Sequence, residues 1–172
     1  MLLSLGTVKR ILGDLRRKHH FDQLTKVADV IIQTGQNGEN IRKQYVQALI
    51  EQRKLVAALD MLRSLEKDCL KSNNKVELDD ARGLMGRARK QMYMNAANVG
   101  RPNENFKQHF RDSIANYFKV YEKNPDSFWH GINIVALLER ARRDDIEVDE
   151  ELPARGATCH SHPGRCGFAS KK

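Results

Sequence analysis

Proline is scarce and confined to positions 102, 125, 153 and 163, so the first hundred residues lack the residue that most reliably interrupts a helix. Cysteine is scarcer still: three in 172 residues, at 69, 159 and 166, is not the arithmetic of a disulfide framework. Aromatic residues make up 6% of the chain, with a single tryptophan, and no stretch shows the strict apolar–polar alternation of half-buried strands. No apolar run approaches the roughly 18 residues that a membrane span requires, and Met1 to Leu5 is too short for the apolar stretch of a signal peptide. A cytoplasmic location is the corresponding expectation. Enzyme signatures are missing too: there is no His-Glu-x-x-His, no nucleophile elbow and no Walker loop, and Cys69 has no evident base. The chain reads as a non-enzyme with no cofactor and no metal centre.

What is present is helical. A hydrophobic content of 40% suffices for the core of one compact domain or short repeat array, and 30% charged residues suits an all-α protein. Apolar spacing and stop signals predict seven helices: Ser4 to His19, Phe21 to Thr34, Asn40 to Gln52, Lys54 to Ser72, Leu78 to Asn98, Asn105 to Lys123 and Ser127 to Arg143. Between them lie Gly35-Gln36-Asn37-Gly38, Ser72-Asn73-Asn74, Gly100-Arg101-Pro102-Asn103 and Asn124-Pro125-Asp126, all turn-forming. The helical domain is expected over residues 1–150 and a disordered tail over 151–172.

Net charge is +8, unevenly spread. Bases cluster from Lys9 to Lys18 and again from Arg82 to Arg101, where Arg82, Arg87, Arg89, Lys90 and Arg101 share their stretch with no acid. Asp144 to Glu151 holds six acids and no base. Such blocks are solvated faces or interaction surfaces. A basic, helical nucleic-acid-binding protein is therefore an alternative, although no reading module or interleaved aromatic platform accompanies the charge.

Repetition organises the helices. A shift of 34 residues places Leu15 on Leu49, Phe21 on Leu55, Leu24 on Ala58, Ala28 on Leu62 and Ile31 on Leu65. Thirty-four is the tetratricopeptide period, in which each helix pair buries one face within itself and gives the other to the next pair. Ala58 then falls at the small-residue position where two helices touch. The expected fold is all-α, a tetratricopeptide-like right-handed stack of antiparallel helix pairs. A third pair departs from the period, with a longer first helix and an inserted connection at Val99 to Glu104, although Ile114, Tyr117, Val120 and Pro125 still fit a repeat helix and its stop.

Gly86-Arg87-x-x-Lys90 with Tyr93, then Ser113-Ile114-x-x-Tyr117, then Gly131-Ile132-Asn133-x-x-Ala136-Leu137-Leu138, resembles the TRAFs-binding region of the apoptosis signal-regulating MAP kinase kinase kinases and bacterial tetratricopeptide proteins carrying the same module. The likeness spans about Leu78 to Arg142. It implies a helical regulatory scaffold that binds other proteins and controls an attached effector; with no kinase signature in this sequence, the regulatory region is expected alone or separated from its effector.

Projecting the repeat register onto the first helix of each pair places Lys9, Arg16 and Arg17, then Asn40, Lys43 and Gln47, then Arg87, Lys90 and Gln91 on the concave side. Six of these nine are cationic and none is acidic, so an acidic segment of a partner or effector is the expected ligand. Gly13 stands where a carboxylate-clamp repeat would want an amide, which argues against a free-carboxylate requirement. Other residues carry plain structural alternatives. Gly131 and Asn133 suit packing and backbone hydrogen bonding at a helix start, Trp129 with Phe128 suits the end of the core, Met85, Met92 and Met94 suit gap filling, and His19, His20 and His130 suit solvated or capping roles. Cys159-His160-x-His162-x-x-x-Cys166 holds four metal-capable side chains, at a spacing that fits no known finger.

Overall fold

The computed structural model describes residues 4–100 and 102–148, and the expected tail with its Cys/His set lies outside them. Seven helices and no strand occur among the described residues: α1 (Leu5–Arg17), α2 (Phe21–Gln33), α3 (Glu39–Glu51), α4 (Leu55–Lys71), α5 (Lys75–Asn98), α6 (Glu104–Tyr121) and α7 (Phe128–Arg143). None of them is long and apolar enough to cross a membrane.

Caps and turns set the boundaries. Ser4 Oγ accepts from the Thr7 amide at 3.2 Å, Asn74 Oδ1 from Glu77 at 3.3 Å and Asn103 Oδ1 from Phe106 at 3.2 Å, each satisfying an amide that the first helical turn leaves free. The Asn74 cap starts α5 at Lys75, ahead of the Leu78 start predicted from apolar spacing. His19, Arg53 and Asn73 adopt left-handed backbone at φ 59°, 61° and 53° just past their helices. In each case the next amide reaches back into the helix: His20 to the Leu15 carbonyl, Lys54 to Leu49 and Asn74 to Cys69, at 2.9, 2.9 and 3.0 Å. His19 and Arg53 stand one repeat period apart, so the turn recurs with the helices.

Consecutive helices pack against each other, α1 touches α3 and α3 touches α5, so the odd-numbered helices form one wall and α2, α4 and α6 back it. The core runs through the stack. Val8, Leu12, Leu24, Ala28, Ile41 and Ala48 join α1 to α3; Val46, Leu62, Leu65, Cys69, Ala81 and Met85 lie among the residues joining α3 to α5; Tyr93, Phe110, Ile114, Tyr117 and Leu137 lie among those joining α5 to α7. Both members of the Leu24/Ala58 and Ala28/Leu62 register pairs are fully buried, as repeat equivalence requires. Leu15, Phe21 and Ile31 are only partly buried, whereas their register partners Leu49, Leu55 and Leu65 are buried.

The third pair is packed unusually closely. Tyr117 of α6 lies on the backbone of α5 so closely that a Cβ on Gly86 would sit 2.9 Å from its ring, and Ser113 Oγ donates to the Gly86 carbonyl at 2.7 Å. At Gly83 a Cβ would meet Trp129 at 2.7 Å and His130 Nε2 at 2.8 Å. These glycines are thus the contact surface of α5.

Helix propensity alone favours alanine over glycine by about 1 kcal/mol. Gly6→Ala, where a new Cβ meets nothing within 4 Å, should therefore raise the melting midpoint. Gly86→Ala should lower it, by about 1–3 kcal/mol of stability, because the buried Tyr117 ring has nowhere to go. A raised midpoint for Gly86→Ala would mean that the ring yields. Ala58→Leu, at a fully buried helix contact, should cost about 1–3 kcal/mol in a denaturant titration, and an unchanged midpoint would refute the packing assigned to it.

Candidate binding groove

The wall of odd-numbered helices carries a cleft of about 520 Å³ lined by Lys9, Gly13 and Arg16 of α1, Asn40, Lys43, Gln44 and Gln47 of α3, Asp80, Leu84 and Arg87 of α5, and Trp129 of α7. The α3 contribution follows from helix geometry, since positions 40, 43, 44 and 47 share one face. Trp129 reaches the cleft because Gly83 leaves room for its ring; it stacks edge-on against Tyr117 at 5.4 Å between centroids and remains 49% exposed. It was expected to cover the core's end, and it forms one end of the cleft as well.

Of the nine residues projected onto the concave side, Lys9, Arg16, Asn40, Lys43, Gln47 and Arg87 line this cleft, whereas Arg17, Lys90 and Gln91 do not. Arg17, one residue past Arg16 and hence about 100° round the helix, is largely exposed and pairs with Asp14. Lys90 turns towards α7: its Nζ donates to Asn133 Oδ1 at 2.7 Å and lies 5.9 Å from the centre of the Tyr117 ring. Burial, with the Arg87 charge adding to it, pulls the Lys90 pKa below its ordinary value. Gln91 bonds within its own helix to Asn95.

The acid-free appearance of the basic stretch is corrected by packing. Arg82 pairs with Glu66 at 2.9 Å, Arg87 with Glu51 at 2.6 Å, and Arg89 with Asp112. Lys43 lies 2.8 Å from Glu77 and 2.7 Å from Asp80. Burial alone would lower its pKa, but hydrogen bonds and charge from Asp80 and Glu77 outweigh burial and raise it. The cleft lining therefore holds four cations and one carboxylate, Asp80. Lys9 has no carboxylate partner among the described residues, and Arg16 donates to a neutral acceptor, Gln47 Oε1, at 2.9 Å. The sequence carried a signal for these pairs: Lys43–Asp80 and Arg87–Glu51 are 37 and 36 residues apart, close to one repeat.

A chain of amides crosses the cleft floor. Asn40 Nδ2 donates to Glu77 Oε1 at 3.4 Å, Gln44 Nε2 donates to Asn40 Oδ1 at 3.0 Å, and Gln44 Oε1 is buried without a partner. Gln44 shares the face of Asn40, Lys43 and Gln47 and follows from helix phase alone, whereas the places of Leu84 and Trp129 depend on which α5 and α7 residues face α3.

His130 is also placed differently from the solvated or capping role expected for it. It is buried, its Nδ1 lies 2.5 Å from Ser127 Oγ, and its Nε2 has no partner, packed against Trp129, Tyr117 and Gly83. Asn133 keeps its expected backbone role, donating to the Trp129 carbonyl at 2.8 Å, and adds the bond from Lys90. Gly131 packs on Tyr121 as expected of a packing glycine. Cys69 is buried, and burial pushes its thiol up to about 11, which disfavours a reactive thiolate. No group of metal-ligating side chains occurs among the described residues.

Burial lowers the His130 pKa despite opposition from Asp79 and Asp80. A group whose folded pKa is depressed stabilises the fold above its unfolded pKa of about 6.5, and that stability is lost as pH falls through the folded value. Unfolding free energy should accordingly decline as pH drops below about 6.5. His130→Gln should flatten that decline; an unchanged slope, measured by urea titration from neutral to mildly acidic pH, would assign it elsewhere.

A family model described as Tetratricopeptide Repeats-Sensor matches residues 18–138. No curated protein and no solved structure matches the chain.

Proposed function

The chain belongs to the Tetratricopeptide Repeats-Sensor family, whose helical repeats are of the kind that mediates protein–protein interaction, and from that premise we propose that its cleft binds an acidic segment of a partner or effector protein. The observation that carries this reading is the composition of the lining: Lys9, Arg16, Lys43 and Arg87 converge from three helices on a floor of Asn40, Gln44 and Gln47, opposed by a single carboxylate. Cations on rigid helices attract an anionic segment and set its register, while the carboxamides supply hydrogen bonds. Leu84 and Trp129 give one end an apolar wall for a flanking side chain. The role proposed is regulatory, as the resemblance to the TRAFs-binding region implies: occupancy of the cleft would signal to an effector.

The residues of that resemblance mostly join helices. Gly86 receives Tyr117, Lys90 holds Asn133, and Tyr93 donates to Asp144 at 2.5 Å. Of the Gly-Arg-x-x-Lys set, Arg87 alone lines the cleft. In this reading the motif builds the wall that presents the cleft rather than contacting the ligand throughout.

Lys9 and Arg16 are the cleanest probes, since neither is tied to a carboxylate. Lys9→Glu with Arg16→Glu should abolish capture of acidic protein segments at fixed, near-physiological salt. Arg17→Glu, a charge change of the same sign outside the cleft, should leave capture intact. Equal loss in both variants would point to general charge, and unchanged capture in the first, with helicity preserved, would move the binding surface away from this cleft.

A further inference from the structure

Gln44 is the one carboxamide of the cleft floor whose oxygen is both buried and unpartnered, in a side chain belonging to a residue only 7% exposed. Its orientation is fixed by a relay. Glu77, held beside Lys43, accepts hydrogen bonds and donates none while it is ionised. Asn40 must then turn its NH2 towards Glu77, which leaves Asn40 Oδ1 as an acceptor. That oxygen in turn takes the Gln44 NH2, and only Oε1 of Gln44 is left over. Flipping either amide would set donor against donor or acceptor against acceptor. The leftover oxygen faces α1 at Gly13, where a Cβ would stand 3.7 Å away and where no side chain exists to donate to it. An acceptor shielded from water and left unmade is costly, and ligands that supply the donor recover that cost.

Gln44 Oε1 lies at the floor among Lys9, Arg16, Lys43 and Arg87, which are donors only, and a ligand that draws it clear of Gly13 gains a hydrogen-bond acceptor there. A fully deprotonated inorganic anion satisfies the cations and leaves Gln44 bare. An extended polypeptide brings an N–H donor and acidic side chains at once. Resting on the acidic-segment reading above, we infer that this cleft holds its ligand by the main chain, with a backbone N–H of the bound segment donating to Gln44 Oε1 while its carboxylates meet the flanking cations. The four helices contributing to the cleft, at about 9 Å between neighbours, span about 27 Å, or about eight extended residues.

The test uses the whole chain and two end-capped probes of about that length: a Glu-Ala peptide and the same peptide N-methylated at every backbone amide, which keeps the charge and removes the donors. Trp129, the single tryptophan and a lining residue, supplies the fluorescence signal, with calorimetry as a second readout. The unmethylated peptide should bind about five- to tenfold more tightly than the methylated one. Gln44→Met should bring the unmethylated peptide down to the level of the methylated one and leave the methylated one unaffected. Equal binding of both peptides to the unaltered protein, or a folded Gln44→Met that binds as the unaltered protein does, overturns the main-chain contact and leaves the acidic-segment reading standing. Binding of neither peptide at low salt overturns both. Should Gln44→Met fail to fold, the comparison of the two peptides on the unaltered protein still decides.

Discussion

Everything at the far end of the cleft depends on how closely α6 and α7 can approach α5. Two missing side chains, at Gly83 and Gly86, set that distance: Tyr117 settles over one and Trp129 with His130 over the other. Because these glycines are three residues apart, they fall on one face of α5 and act as a single flat strip. Polar bonds then fix the approach. Ser113 reaches the Gly86 carbonyl, Lys90 reaches Asn133 across to α7, and Tyr93 reaches Asp144 just beyond it. Arg140 also donates to Asp144, at 2.5 Å, so the exit of α7 is anchored where its entry is packed. A methyl added at Gly83 would press on Trp129 and His130, and one added at Gly86 on Tyr117.

The same close approach explains why polar atoms are left orphaned there. Tyr117 OH and His130 Nε2 are both buried without partners, and burial pushes the Tyr117 hydroxyl pKa up and the His130 pKa down. Each shift keeps its group neutral, the only form that an apolar junction tolerates at low cost. The half-buried Lys90 responds in the same direction, its charge disfavoured by burial and by Arg87. The α5–α7 junction is therefore tight and disfavours charge in its interior, and the cations of the cleft belong to the open side of the wall.

Much of this was legible in the sequence, and the division is physical. Helix positions follow from periodic apolar residues and local stop signals, so Leu24/Ala58 and Ala28/Leu62 could be paired by counting and both pairs are buried. The left-handed turns at His19 and Arg53 carry no glycine or asparagine to mark them in the sequence; the turn hydrogen bonds impose them. The concave projection found Lys9, Arg16, Lys43, Gln47 and Arg87 because it needs only helix phase. It misplaced Lys90 and overlooked Trp129, whose positions depend on how α7 docks, and docking is written in Gly83 and Gly86 only through what they lack. Arg82, Arg87 and Arg89 looked free of acids because their partners lie one helix or one repeat away.

That last point divides the cleft into unequal halves. Lys43 of α3 has Glu77 and Asp80 of α5, and Arg87 of α5 has Glu51 of α3, so a ligand carboxylate arriving there exchanges one ion pair for another. At exposed sites such an exchange is close to neutral, because each pair is worth only about 0–1 kcal/mol. It costs more at Lys43, whose side chain is 15% exposed and already neutralised twice. Lys9 and Arg16 on α1 differ: the facing stretch of α3 offers Gln44 and Gln47 and no acid, so an incoming carboxylate there displaces water and no internal partner. Electrostatic gain is thus concentrated at the α1 end, apolar contact at the Trp129 end, and the unpartnered oxygen of Gln44 between them. On the proposed reading, a segment that satisfies all three would carry its acidic residues towards α1 and an apolar residue towards α7, and the cleft would then select direction as well as charge.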